Sequence, residues 1–295
     1  MLEKIQDFGQ VEKSIKSITQ DTGLKRNFQI IDLNKLKKNI QNKNCFMYSS
    51  AYSVVIFSPY YDFFEVFLYL SDYSAASDDL KNAISALESY FKENGSNAYK
   101  YLKFSACCKN DFENSPIYEI IRFSNFKKIN SIARYVLLKN SDTLKMLYEF
   151  VPEQYRRVEF ANVEDADDIM SLMLANFDVM GDSVPERIDL IENIKKKQVL
   201  CVKYENQLIA FHYFEVINNI YYGLFDCTHK KYRKYFVQFA IANFLYIYNQ
   251  SHKIEYSRCY GWRDSSKSRL NSFAKNISQQ KDGVVIFNYK YTLNI

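Results

Sequence analysis

Four cations crowd one short stretch of the chain: Lys230, Lys231, Arg233 and Lys234, with His229 beside them. The residues before them, 221–227, read Tyr-Tyr-Gly-Leu-Phe-Asp-Cys and are short and aromatic-rich, as a buried strand would be. After them, Val237, Ala240, Ile241, Phe244, Leu245 and Tyr248 recur on one face of a helix. A basic loop that opens a helix can hold phosphates. The first N–H groups of a helix are unpaired, and its dipole adds partial positive charge at that end. A solvated basic turn is the alternative, and both readings stand at this level.

Other reactive side chains are dispersed. His212, His229 and His252 have no metal-ligand spacing. The six cysteines include no C-x-x-C pair, which points to buried free thiols in a reducing cytosol. Cys227 ends a strand beside cations that would lower a thiol pKa, so it is either a nucleophile or a small buried residue. Asp165, Asp167 and Asp168 open a helix, where the dipole favours acids. No Ser-His-Asp arrangement or Walker-type loop is present.

The elements that must position the loop belong to a chain of 295 residues, 47% hydrophobic and 25% charged, so full cores are expected. The net charge of +5 is spread over many segments, which argues against a DNA or RNA surface. Glycine is scarce, at 7 residues, and tight phosphate loops usually need it. The first residues lack the apolar stretch of a signal peptide, and no segment has membrane-spanning length without charges. A cytoplasmic protein without a membrane partner is expected.

Apolar spacing predicts a helix over 2–20, a strand over 29–32 and a helix over 33–41. A hairpin of buried strands follows over 45–58 and 63–70, then a helix capped by Ser77 and stopped at Asn94-Gly95. A strand over 99–106, a short helix started by Ser115-Pro116 and a closing strand over 129–138 complete the first half. Residues 140–157 form a polar join. The second half offers a strand at 158–160, a helix capped at Asn162, a helix over 185–196, and strands over 198–204, 208–216 and 220–227. Glu205-Asn206 and Asn218-Asn219 suit the tight turns between those strands. The basic loop and its helix come next. A strand over 254–260, a helix over 265–277 and a strand over 284–293 end the chain.

The resulting order β-α-α-β-β-β-α-β-α-β resembles the GNAT superfamily of acyl-CoA-dependent N-acyltransferases over 158–295. Glu164-Asp165-Ala166 resembles the usual start of the family's first helix. Leu208-Ile-Ala-Phe211 sits where the family often has a Gly-containing strand. The run from Lys231 to Gln238 sits where it carries the pyrophosphate loop Arg/Gln-x-x-Gly-x-Gly/Ala. Arg233 matches the first position of that pattern, while Phe236 and Gln238 stand at the glycine positions. The resemblance implies an acetyl-CoA or other acyl-CoA held by Cys227, Thr228, Arg233, Lys234, Tyr235, Phe236, Val237 and Gln238. It implies Asp226 as a base, with Tyr260 as another catalytic candidate. Asp264-Ser265 lies where relatives often have Asn, and Ser272-Phe273 replaces the customary Tyr.

The first half resembles the same topology more faintly, and its loop over 71–79 is acidic, which disfavours phosphate. The expected architecture is mixed α/β: two GNAT-like domains, 1–147 and 148–295, each a twisted, mostly antiparallel sheet flanked by helices. The expected activity is acyl transfer to an amine of a small molecule or peptide. The alternatives are a degenerate GNAT-like binding protein and an aminoacyl-tRNA-dependent transferase, the latter making tRNA the one nucleic-acid partner to consider.

Overall fold

A computed structural model of the chain describes residues 2–18, 25–27, 30–95, 98–109, 113, 115–137, 141–264 and 279–295. The expected helix over 265–277 lies outside them. The chain packs as two compact units, Met1–Ser131 with Val284–Ile295, and Ile132–Gly283. In chain order the first part holds β1 (Leu2–Lys4), α1 (Phe8–Ile18), β2 (Lys25–Arg26), α2 (Ile30–Asn42), β3 (Phe46–Ser49), β4 (Ser53–Tyr60), β5 (Phe63–Leu70), α3 (Ala76–Asn94), β6 (Tyr101–Lys109), α4 (Pro116–Phe123) and β7 (Lys127–Leu137). Then come α5 (Ser141–Glu149), β8 (Val158–Phe160), α6 (Ala166–Leu174), α7 (Arg187–Lys195), β9 (Val199–Tyr204), β10 (Gln207–Ile217), β11 (Ile220–Thr228), α8 (Gln238–Ser251), β12 (Arg258–Asp264) and β13 (Gln279–Thr292).

The sheet of the first unit runs β1-β3-β4-β5-β6-β13, with β2 added to β5. All eight residues of β4 are buried, and all but one of β5. Their near-continuous apolar sequences fit strands covered on both faces. One face packs Phe57, Phe64, Val66 and Leu68 against Leu80, Ile84 and Leu87 of α3 and Ile120 of α4. The other packs Val54, Ile56, Phe67 and Tyr69 against Val11 of α1 and Leu36 and Ile40 of α2. Burying each such side chain contributes about 1.5–3 kcal/mol.

The sheet of the second unit runs β8-β9-β10-β11-β12-β7. Within it only β11 and β12 are parallel, and α8 supplies the crossover that a parallel pair requires. Phe211, Tyr213, Phe225 and Cys227 face α6 and α7. Ala210, Phe214 and Tyr221 face Val237, Ala240 and Ile241 at the start of α8.

Several local expectations hold. Ser115 caps α4 by accepting the Tyr118 N–H, Pro116 is its first residue, and Gly95 ends α3 at φ 68°. The Asn162 N–H donates to Asp165 at 2.9 Å. Glu205-Asn206 and Asn218-Asn219 take positive φ at both positions, as a two-residue hairpin demands.

Other local expectations are corrected. Residues 30–32 begin α2 and are not a strand, because the Leu36 and Ile40 stripe already governs them. Leu2–Lys4 is a strand on β3, so the first helix starts only at Phe8. The run 45–58 is two strands, since Ser50 Oγ accepts the N–H groups of Tyr52 and Ser53 and turns the chain. Helix α3 starts at Ala76, one residue before the expected Ser77 cap. The polar join contains α5, and β12 starts at Arg258. The closing strands also depart from chain order. Ile132–Val136 of β7 pairs with β12, and Val284–Thr292 of β13 pairs with β6.

Candidate functional site

The end of β11 is where the second sheet opens. β11 and β12 pair only from Ile220↔Arg258 to Gly223↔Gly261. On the other side of β11, the register with β10 shifts between Tyr213↔Phe225 and Phe214↔Gly223, which leaves Leu224 as an extra, bulged residue. A bulge bends its strand and sharpens its twist. Beyond it, Leu224–Thr228 and Trp262–Asp264 run on without pairing to each other among the described residues. The His229 N–H donates to Ile209 at 2.8 Å. By the alternation of an antiparallel ladder, 209/229, 211/227 and 213/225 are the bonded pairs, and the backbone groups of Asp226 and Thr228 point toward the gap.

The chain leaves β11 through a 3-10 turn, Lys230–Tyr235, and enters α8 after Phe236 and Val237. Lys230, Lys231, Arg233 and Lys234 are exposed, while Tyr232 anchors the turn in the core. Arg233 is held at its base, its Nε donating to Thr228 O at 3.1 Å and its guanidinium bonding Asn176. Phe236 adopts φ 55°, is 48% exposed and stacks its ring on Phe239 in the first turn of α8, centroids 6.0 Å apart. That left-handed backbone is costly for a bulky residue, by roughly 1–3 kcal/mol, and such strain clusters at ligand sites. Gln238 Nε2 donates into the strand ends, 2.8 Å from Cys227 O, 3.1 Å from Thr228 Oγ1 and 3.2 Å from Phe211 O. The N–H groups of Phe236, Phe239 and Ala240 close turn bonds. Those of Val237 and Gln238 make no such bond among the described residues and stand at the head of α8. Two backbone donors and four cations therefore suit a phosphate-bearing ligand, although neither glycine of the family pattern is present.

Asp226 lies directly across from His212 on β10. His212 Nδ1 is 2.5 Å from its carboxylate, and Nε2 contacts the Tyr221 hydroxyl. An ionised carboxylate can only accept, so Nδ1 carries the proton and donates to Asp226. His212 and Tyr221 are buried, whereas the Asp226 side chain is 57% exposed. The network thus joins the interior to the surface. Desolvation raises the Asp226 pKa, but the charge and hydrogen bond of His212, with Arg263 behind them, bring it below the usual carboxylate range. Burial holds the Tyr221 hydroxyl protonated to well above its ordinary pKa.

The expected site residues divide between the two faces. Residues 221, 223, 226 and 228 share the α8 face, and 220, 222, 225 and 227 the other. Tyr260 pairs with Tyr222 and lies opposite Asp226. It is buried beneath the Arg134 guanidinium, 4.2 Å from its ring, and accepts from Arg258 at 3.1 Å. The structure does not bring Asp226 and Tyr260 together. The Cys227 side chain points into the core beside Leu172, where burial lifts its pKa to about 11 and removes the thiolate a nucleophile needs. The partners missing from the sequence reading are His212 and Tyr221, whose only signal was their type. Among the described residues no group of side chains has metal-ligand geometry, and no helix is long and apolar enough to cross a membrane.

No family model matches the sequence, and no curated protein shows significant similarity to it. Solved structures do. A tandem GNAT protein from the clavulanic acid biosynthesis pathway superposes with a TM-score of 0.61 at 8% identity, over 100% of this chain and 99% of its own. A GCN5-related N-acetyltransferase from Sphaerobacter thermophilus gives 0.56 at 6% identity, over 88% and 85%. A GNAT-family acetyltransferase from Colwellia psychrerythraea gives 0.51 at 10%, over 99% of both chains. At such identities the likeness is one of fold, and the match over the whole length of both chains shows which: the chain has the tandem GNAT fold.

Proposed function

We propose that the second unit is an N-acyltransferase, taking acetyl-CoA or another acyl-CoA in the gap between β11 and β12 and acylating an amine of a small molecule or peptide. The observation that carries this reading is the Leu224 bulge. It ends the β11/β12 pairing and leaves strand backbone facing a gap that opens toward the basic start of α8. An extended, amide-bearing arm can bond the backbone of Asp226 and Thr228, as an added strand would. The cations Lys230, Lys231, Arg233 and Lys234 and the amides of Val237 and Gln238 then meet the pyrophosphate. When bound, the acyl-CoA supplies an activated thioester.

Asp226 is the group suited to the incoming amine. An ammonium must lose a proton before its nitrogen can attack, and an exposed, ionised carboxylate both attracts the cation and receives that proton through water. The C–N bond forms as the C–S bond breaks, and the thiolate takes its proton from solvent. Tyr260 has no part, since it faces the other side of the sheet.

Calorimetry with acetyl-CoA and CoA tests the proposal. Micromolar binding is expected, weakened at least tenfold in Arg233→Ala and in Lys234→Ala. No heat at millimolar ligand would sink it. A donor confined to charged tRNA, with steep salt dependence, would favour the aminoacyl-tRNA reading instead.

A further inference from the structure

The first unit has a gap at the corresponding place, and the chain itself fills it. β5 and β6 are parallel and pair over four positions, Phe63↔Tyr101 to Val66↔Phe104, as many as β11 and β12. Beyond that point the two units differ. In the second, no strand enters the gap among the described residues. In the first, β2 lies against β5, with Lys25 opposite Leu70 and Arg26 opposite Tyr69. The next residue, Asn27, is 2% exposed and bridges both strands. Its Nδ2 donates to Val66 O and Ser105 O, each at 3.0 Å. Its Oδ1 accepts the Leu68 N–H at 2.7 Å. Its own N–H donates to Leu68 O at 3.3 Å, and its carbonyl accepts the Cys107 N–H at 3.1 Å.

Asn27 thus satisfies three backbone groups of β5 and two of β6 that would otherwise be buried without partners, at a cost of about 1–3 kcal/mol each. An extended, amide-bearing segment laid between diverging parallel strands also describes how the second unit would hold the arm of an acyl-CoA. The helix starts have opposite charge as well: α3 opens with Asp78 and Asp79, whereas cations precede α8.

We infer that Lys25–Asn27 is a built-in ligand of the first unit, occupying its strand gap so that this unit takes no acyl-CoA and the protein binds one per chain. The stoichiometry rests on the proposed site at β11/β12, but the internal ligand does not. Residue-resolved amide exchange tests the ligand directly. In the ligand-free protein, the Leu68 and Cys107 amides should be protected as well as those inside β4. In Asn27→Ala the Leu68 amide, which loses a side-chain acceptor, should exchange at least tenfold faster, while Cys107, bonded to the backbone of residue 27, stays protected. Fast exchange of both amides in the natural protein, or no change at Leu68 in Asn27→Ala, overturns the inference. Calorimetry should give one acyl-CoA per chain, and two per chain also overturns it. Absence of all binding would count against the second-unit site alone, leaving the exchange data to decide on the first.

Discussion

Asp226 and His212 form a pair whose members do different work. The carboxylate is exposed and, in the proposed reaction, is the member that meets the amine, while the buried imidazole holds its charge and direction from below. Asp226→Asn should lower turnover by about 10²–10⁴ if proton transfer is its task, and leave acyl-CoA affinity within twofold. Steady-state release of free thiol, set beside calorimetry, separates the two effects. The pH profile has a definite sign. The proposed mechanism needs the ionised form, so the rate should fall as pH drops through a pKa below the usual carboxylate range. His212→Ala removes the group that lowers that pKa, and the acid limb should move to higher pH. Asp226 was legible in the sequence because it ends a strand before a basic loop. His212 was not, because its pairing depends on a cross-strand register, and each shift of one residue turns a side chain to the opposite face. The same parity separates Tyr260 from Asp226, which spacing along one strand does not reveal.

At the scale of elements, polar groups as well as packing hold each sheet. Gln238 binds the head of α8 to the ends of β10 and β11. Gln238→Ala should cost about 0.5–1.5 kcal/mol, read from denaturant midpoints, since one side-chain donor is lost while the strand carbonyls keep their ladder partners. In the first unit, Glu65 of β5 lies beside Lys103 of β6, 3.8 Å apart, and binds Lys35 at 2.9 Å. Burial opposes its ionisation, yet Lys35 and then Lys103 hold its pKa below the ordinary value. A depressed pKa contributes stability that is fully present above the unfolded-state value and lost as pH falls through the folded one. Stability of the first unit should therefore decline at acid pH. Glu65→Gln should destabilise it by about 3–5 kcal/mol at neutral pH, because it removes the buried carboxylate that faces both Lys35 and Lys103. Elements were legible where local chemistry decides them, as at Ser115-Pro116, Gly95 and the two polar hairpin turns. They were not where a side chain intervenes, as Ser50 does in breaking one apolar run into β3 and β4.

At the scale of the molecule, the order of elements showed the fold, but chain order misled about which strand closes which sheet. Strand identity follows from local alternation. Pairing follows from which edge remains open, and that is a non-local property. Tyr289 and Leu293 belong to the core of the first unit, beside Leu102 and Phe104. A chain ending at Gly283 should accordingly leave 141–264 protease-resistant while cleavage spreads through the described residues before 132, a pattern that limited proteolysis with mass analysis would show. The consequence reaches into biosynthesis. Synthesis is vectorial, and domains ordinarily fold as they leave the ribosome, the N-terminal one first. Here the sheet of the first unit lacks its β13 edge until residues 284–292 have emerged, after the whole of 132–283. The nascent chain therefore carries an open strand edge while 132–283 is being made, and of its two units the first begun is the second completed.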